Sequence, residues 1–130
     1  MDKPTVLVCE DEVNVRKALG LVLEEDYTVV FAADGQEALK QFRAHPVDVV
    51  LLDLKIPNGD GMEILKTLMA DRPPPKVIIL TAYQSVEIAE RVAQAGAVDY
   101  LTKPFDAQTV LQAIQKALSL PARKGPAAAS

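Results

Sequence analysis

Five chemically active side chains in this sequence stand where short apolar runs give out. Glu10 and Asp11 follow Thr5 to Cys9, Asp53 follows Val49 to Leu52, Thr81 follows Val77 to Leu80, and Lys103 follows Val98 to Thr102. Three carboxylates brought together repel one another, and such a cluster is ordinarily tolerated because a hard cation with oxygen ligands occupies it. With no Cys or His in the set, Mg2+ suits it better than zinc, and Mg2+ held by one or two carboxylates also bridges to phosphate oxygens. Phosphate chemistry is then implied. Asp53 can attack a phosphoryl group, with the metal and Lys103 stabilising charge on the transferred oxygens and Thr81 offering a hydrogen bond. The product would be an aspartyl phosphate.

The elements must bring these residues to one place. Val47 to Asp53, with its continuous run Val49 to Leu52, reads as a central strand covered on both faces. Further strands are expected at Thr5 to Cys9, Tyr27 to Ala32, Val77 to Leu80 and Val98 to Thr102. Between them the apolar spacing turns helical: Val15, Ala18, Leu19, Val22 and Leu23 within Glu12 to Glu25; Ala38, Leu39 and Phe42; Leu65, Leu68 and Met69; Ala89, Val92 and Ala93; Leu111, Ile114 and Leu118. Asp34-Gly-Gln-Glu37 resembles a capping box, Ser85 and Asp106 can cap the fourth and fifth helices, and Gly96 suits a C-terminal cap. Five strands alternating with five helices imply a doubly wound α/β fold with a parallel sheet. Right-handed crossovers then direct Glu10, Asp11, Asp53, Thr81 and Lys103 to one edge, where ligands bind in open α/β sheets.

Each residue also has a plainer account. Glu10 and Asp11 could be acids favouring a helix start, and Asp53 could simply open a loop. Those accounts serve one position at a time and leave the set unexplained. His45 has no companion ligand and reads as a loop residue, and Cys9, in an apolar strand, reads as a buried, inert thiol. Pro57 and two glycines in Pro-Asn-Gly-Asp-Gly61 make a compact loop beside Asp53.

The 130 residues are 49% hydrophobic and 25% charged, as in one ordinary globular domain, expected at residues 3–120. Residues 121–130 lack core residues and read as a flexible tail, linker remnant or expression artefact. No apolar run approaches a membrane span and no signal pattern opens the chain, so a cytoplasmic location is expected. A net charge of −4 argues against direct nucleic-acid binding by this domain.

Glu10-Asp11, Asp53, Pro57 and Gly61, Thr81-Ala82, Tyr100 and Lys103-Pro104, in this order and at strand ends, resemble a response-regulator receiver domain of two-component signalling. The resemblance covers Lys3 to about Leu120. It implies a sheet of order 2-1-3-4-5, with Asp53 accepting phosphate from a sensor histidine kinase or histidine phosphotransfer protein. It also implies Mg2+ at Glu10, Asp11, Asp53 and the backbone carbonyl of Lys55, and a cis peptide between Lys103 and Pro104. Thr81 and Ala82 would meet the phosphoryl group. Thr81 would move toward it and Tyr100 turn inward, altering the face of the fourth helix, fifth strand and fifth helix. That face would serve an output domain or a homodimer, with Ser85, Val86 and Ala89 as partner contacts. Departures from the common pattern are minor: Ile56 stands where Met is frequent, and Lys55 and Tyr83 lie where water access to the acyl phosphate is influenced.

Other folds and activities fit the residues less well. A Mg2+-dependent phosphatase with an Asp nucleophile needs a second Asp two positions on, where this chain has Lys55. A flavodoxin-like electron carrier needs a Ser/Thr/Gly-rich loop where Glu10-Asp11-Glu12 stands and would repel a flavin phosphate. No P-loop motif occurs. A receiver-like binding module that works without phosphate is a further alternative.

Overall fold

The computed structural model describes residues 3–82 and 85–121. Tyr83 and residues 122–130, on which the sequence bears expectations, lie outside the described residues. Strand and helix alternate as β1 (Thr5–Cys9), α1 (Val13–Leu23), β2 (Thr28–Ala32), α2 (Gly35–Ala44), β3 (Val49–Asp53), α3 (Gly61–Met69), β4 (Lys76–Thr81), α4 (Val86–Gln94), β5 (Asp99–Thr102) and α5 (Ala107–Ser119). The strands pair in parallel in the order β2-β1-β3-β4-β5. The chain thus winds outward from β1 to β2 and then back across to β3, so the carboxyl ends of β1 and β3 flank the point where the winding reverses.

Alternate residues of the central strands feed two cores. Val6, Val8, Val49, Leu51, Ile78 and Leu80 pack with Leu19 and Leu23 of α1 and Val110 and Ile114 of α5. Leu7, Val50, Leu52, Val77 and Ile79 pack with Ala38 of α2, Ile64, Leu65 and Leu68 of α3 and Val92 of α4. Covering both faces is why β1, β3 and β4 are buried at every position and read as unbroken apolar runs, whereas edge strand β2 leaves Thr28 and Phe31 exposed.

The helix ends follow local chemistry. The carboxylates of Asp34, Asp60 and Asp106 accept from the backbone N–H groups of Glu37, Met62 and Thr109, and the Ser85 hydroxyl accepts from Ile88. After α4, Gly96 adopts φ +111°, its N–H donates to Ala93 O and that of Ala97 to Val92 O, a complete Schellman closure.

Several expectations shift. The capping box at α2 is only half made, because Glu37 Oε1 accepts from Gln41 Nε2 at 2.6 Å. Helix α1 is shorter than Glu12 to Glu25, and Glu12 sits at its N-cap without a side-chain cap bond. Strand β2 begins at Thr28, with Tyr27 buried beside it. Strands β3 and β5 start two and one residues later than the expected Val47 and Val98, and β4 includes Lys76 and Thr81. Ala18 and Ala93 are exposed. Small residues carry too little apolar area to decide which face of a helix turns inward, and the larger neighbours Leu19 and Val92 decide it. In the loop after β3 the positive φ belongs to Asn58, at 53°, rather than to a glycine. The glycines there serve close approach: a Cβ on Gly61 would lie 2.4 Å from Leu54 O, and one on Gly59 3.1 Å from Gly35 Cα at the start of α2.

Candidate functional site

Parallel register assembles the site. Cys9 pairs with Leu52, Asp53 with Leu80 and Thr81 with Thr102, so the residues leaving β1, β3, β4 and β5 emerge on one edge. Backbone bonds carry the alignment past the strands: Glu10 N–H donates to Ala32 O at 3.0 Å and Lys103 N–H to Thr81 O at 2.7 Å. The Lys103–Pro104 peptide is cis.

At this edge the Lys103 ammonium donates to Glu10 Oε1 and, at 2.9 Å, to Asp53 Oδ2. Glu10 is fully buried, Asp53 is 5% exposed and the Lys103 side chain is 24% exposed. The second oxygen of each acid is held locally: Glu12 N–H donates to Glu10 Oε2 at 3.0 Å and Lys55 N–H to Asp53 Oδ1 at 2.9 Å. Burial pushes the Glu10 carboxyl above its ordinary value, against the opposing effect of the Lys103 bond. Burial alone would lower the Lys103 pKa, but its bonds to Glu10 and Asp53 outweigh that and raise it, keeping the ammonium charged.

Asp11 is exposed and completes the acidic group: one carboxylate oxygen each from Glu10, Asp11 and Asp53 lies within 4.8 Å of the others. Among the described residues, no hydrogen bond to the Asp11 carboxylate is made. Its backbone is held instead, because Arg16 Nη1 donates to both Glu10 O and Asp11 O at 2.9 Å. Three carboxylates against one ammonium leave a formal surplus of negative charge at the mouth of the crevice. An all-oxygen donor set with that surplus fits Mg2+ and suits neither zinc nor copper.

The other expected residues stand on β4 and β5 or just beyond β3 and β4. Thr81 is buried at the end of β4 and Ala82 is exposed just beyond it. Lys55 is exposed, with its N–H turned to Asp53. Tyr100 is half-buried, paired with Ile79 in register and packed against the core shared with α2, α3 and α4, on the sheet face opposite α1 and α5. Sequence reasoning missed Arg16. Its only signal is a cation four residues after Glu12, on the first turn of α1, and a side chain that bonds backbone carbonyls leaves no pattern of residue types.

The chain is similar to known proteins over most of its length. The family model for the response regulator receiver domain matches residues 6–115. The chain belongs to this family. Receiver domains are signalling switches rather than enzymes in the usual sense. Among curated relatives, the transcriptional regulatory protein PdtaR of Mycobacterium tuberculosis is 39% identical over 116 residues, 88% of this chain and 56% of that protein. The transcriptional regulatory protein ZraR of Escherichia coli is 37% identical over 119 residues, 91% of this chain and 27% of that protein. This receiver domain therefore spans about half or less of the curated relatives it matches. Among solved structures, a CheY-like response regulator receiver domain protein from Methanospirillum hungatei superposes with a TM-score of 0.85 at 30% identity, covering 90% of this chain and 94% of that one. No helix among the described residues is long and apolar enough to cross a membrane.

Proposed function

We propose that this receiver domain, residues 3–120, is a phosphorylation-activated switch in which Asp53 is the phosphoacceptor. The observation that carries this reading is the gathering of Glu10 and Asp11 around Asp53, a strand-end carboxylate already bonded to Lys103. Glu10, Asp11, Asp53 and the Lys55 backbone carbonyl would hold Mg2+, which when bound neutralises charge on the phosphoryl oxygens. An Asp53 carboxylate oxygen attacks phosphorus, and the bond from phosphorus to the donor, a histidine nitrogen of a sensor kinase or phosphotransfer protein, breaks with its electron pair leaving on that nitrogen. The product is an acyl phosphate on Asp53. Lys103, freed from Asp53 Oδ2, is placed to pair with the new dianion.

The transferred group brings roughly −1.5 to −2 charge and strong acceptors to a place where a buried hydroxyl and an ammonium stand ready. Thr81 and the Ala82 backbone are the residues to meet it, and Tyr100, on the adjacent strand, is the residue to follow. The change would be read on the α4–β5–α5 face, where Ser85 caps α4, Val86 is 76% exposed and Ala89 is half-buried. An output domain or a second copy of the chain is the partner this reading assigns to that face, in a cytoplasmic setting.

The test is incubation with acetyl phosphate and Mg2+, read by intact mass. Wild type gains one phosphoryl group, while Asp53→Asn and a chelator-treated control do not. If beryllofluoride and a histidine kinase also leave the wild type unchanged, the domain acts as a phosphate-independent binding module and the proposal fails.

A further inference from the structure

We infer that Arg16 is a positioning residue for the divalent-cation site, acting through Asp11. The inference rests on the Mg2+ reading above and assigns to that site a residue outside its ligand set. Of the three acids, two have carboxylates fixed at both oxygens. Glu10 is held by Lys103 and by the Glu12 N–H, and Asp53 by Lys103 and by the Lys55 N–H. The Asp11 carboxylate has no such bond among the described residues, so its position depends on the turn that carries it.

That turn is unusual in its support. It links a fully buried strand end to a helix whose N-cap, Glu12, makes no side-chain cap bond. The carbonyls of Glu10 and Asp11 are consecutive acceptors at the most acidic point of the chain, and a single nitrogen, Arg16 Nη1, donates to both at 2.9 Å. Arg16 is itself anchored in the first turn of α1, where its N–H donates to Glu12 O at 3.0 Å. The guanidinium therefore ties the helix to the back of the turn and keeps the Asp11 carboxylate oxygen within 4.8 Å of those of Glu10 and Asp53. Groups that orient metal ligands from behind commonly matter about tenfold or more to metal affinity.

A bystander role predicts the opposite sign. If Arg16 mattered only as a nearby cation, removing it would relieve repulsion of Mg2+ and tighten binding. If it positions Asp11, removing it weakens binding although a positive charge has gone. Titration calorimetry of Mg2+ into the full chain distinguishes the two. Arg16→Gln, which has nearly the helix propensity of Arg, is expected to raise the Mg2+ Kd roughly tenfold. Arg16→Lys keeps the charge and an ammonium donor and is expected to fall between the two, so affinity should rank Arg, Lys, Gln. The rate of labelling by acetyl phosphate at saturating Mg2+ should stay within about twofold of wild type, because Asp53 and Lys103 are untouched.

An unchanged or lowered Kd in Arg16→Gln overturns the inference, as does an equal loss in the saturating rate, which would mark a general loosening of the domain. Failure of the wild type itself to bind Mg2+ is a separate outcome: it removes the metal site of the proposed function and this inference with it.

Discussion

Lys103 and Asp53 are separated by 50 residues in the chain, and their charged atoms meet at 2.9 Å on the carboxyl edge of the sheet. The same ammonium reaches Glu10, on the far side of β3 from β5. One cation thus holds together two strand ends whose carboxylates would otherwise repel.

Lys103→Met should destabilise the domain by about 1–3 kcal/mol, because it leaves a fully buried Glu10 without its cation. The figure sits below the ~3–5 kcal/mol of a fully buried pair, since the Lys103 side chain is 24% exposed and solvent screens it. Mg2+ should then stabilise the variant more than wild type, because the metal no longer competes with an ammonium for the same oxygens. Urea unfolding with and without Mg2+ checks both parts, and a smaller Mg2+ effect in the variant would refute the competition.

Two glycine-to-alanine changes should differ in sign. At Gly61 a Cβ would stand 2.4 Å from Leu54 O and 2.6 Å from Leu54 Cα, backbone atoms of the loop beside Asp53. The ~1 kcal/mol helix-propensity gain of alanine cannot offset that clash, and a net loss of about 2 kcal/mol or more is expected. At Gly20 the nearest atom is Phe31 Cζ at 3.1 Å, the outer end of an exposed ring that can turn away. Gly20→Ala should be neutral or stabilising by up to ~1 kcal/mol in the same unfolding experiment.

Lys76 opens β4, is 9% exposed, and donates to Ala117 O at 3.2 Å and Leu120 O at 2.7 Å. A cation on these last carbonyls complements the negative end of the α5 dipole, supplying a donor to Leu120 O and a second one to Ala117 O, which also accepts from the Leu120 N–H at 3.2 Å. Lys76→Met relieves a largely buried charge but strips Leu120 O of its donor and leaves Ala117 O only the Leu120 N–H at 3.2 Å, and the second effect should win by about 1–2 kcal/mol. Hydrogen exchange should locate the change: amides in the last turn of α5 exchange faster, while those of α2 do not.

Cys9 is fully buried in β1, and burial pushes its thiol from 9.0 up to about 12. The folded state therefore keeps the proton over a range in which the unfolded chain loses it. This contribution to stability is complete below pH 9.0 and is lost as pH rises toward about 12, at roughly 1.4 kcal/mol per pH unit. Denaturant titrations from pH 9 to 11 should show a shallower decline in Cys9→Ala than in wild type. At pH 8 a thiol reagent should label wild-type Cys9 only on unfolding; rapid labelling of the native domain would contradict the burial argument.

By itself the sequence determined the layered architecture, because strands covered on both faces must be continuous apolar runs and helices covered on one face must show a stripe. Val49 to Leu52, Ser85, Gly96 and Asp106 could all be read locally, since propensity and capping act within a few residues. The acids at the ends of β1 and β3 were legible for a related reason: parallel strands share a direction, so their carboxyl ends share an edge. Tertiary structure alone decided which oxygens meet which donors. That one Lys103 ammonium joins Glu10 and Asp53 depends on a register relayed through β4, and that Arg16 and Lys76 bond backbone carbonyls depends on how α1 and α5 pack. Glu37 turning to Gln41, and Asn58 rather than a glycine taking the positive φ, were settled by competition among near-equal local choices. Bonds from a side chain to a distant or neighbouring backbone carry no periodicity in residue type, so only the folded chain selects them.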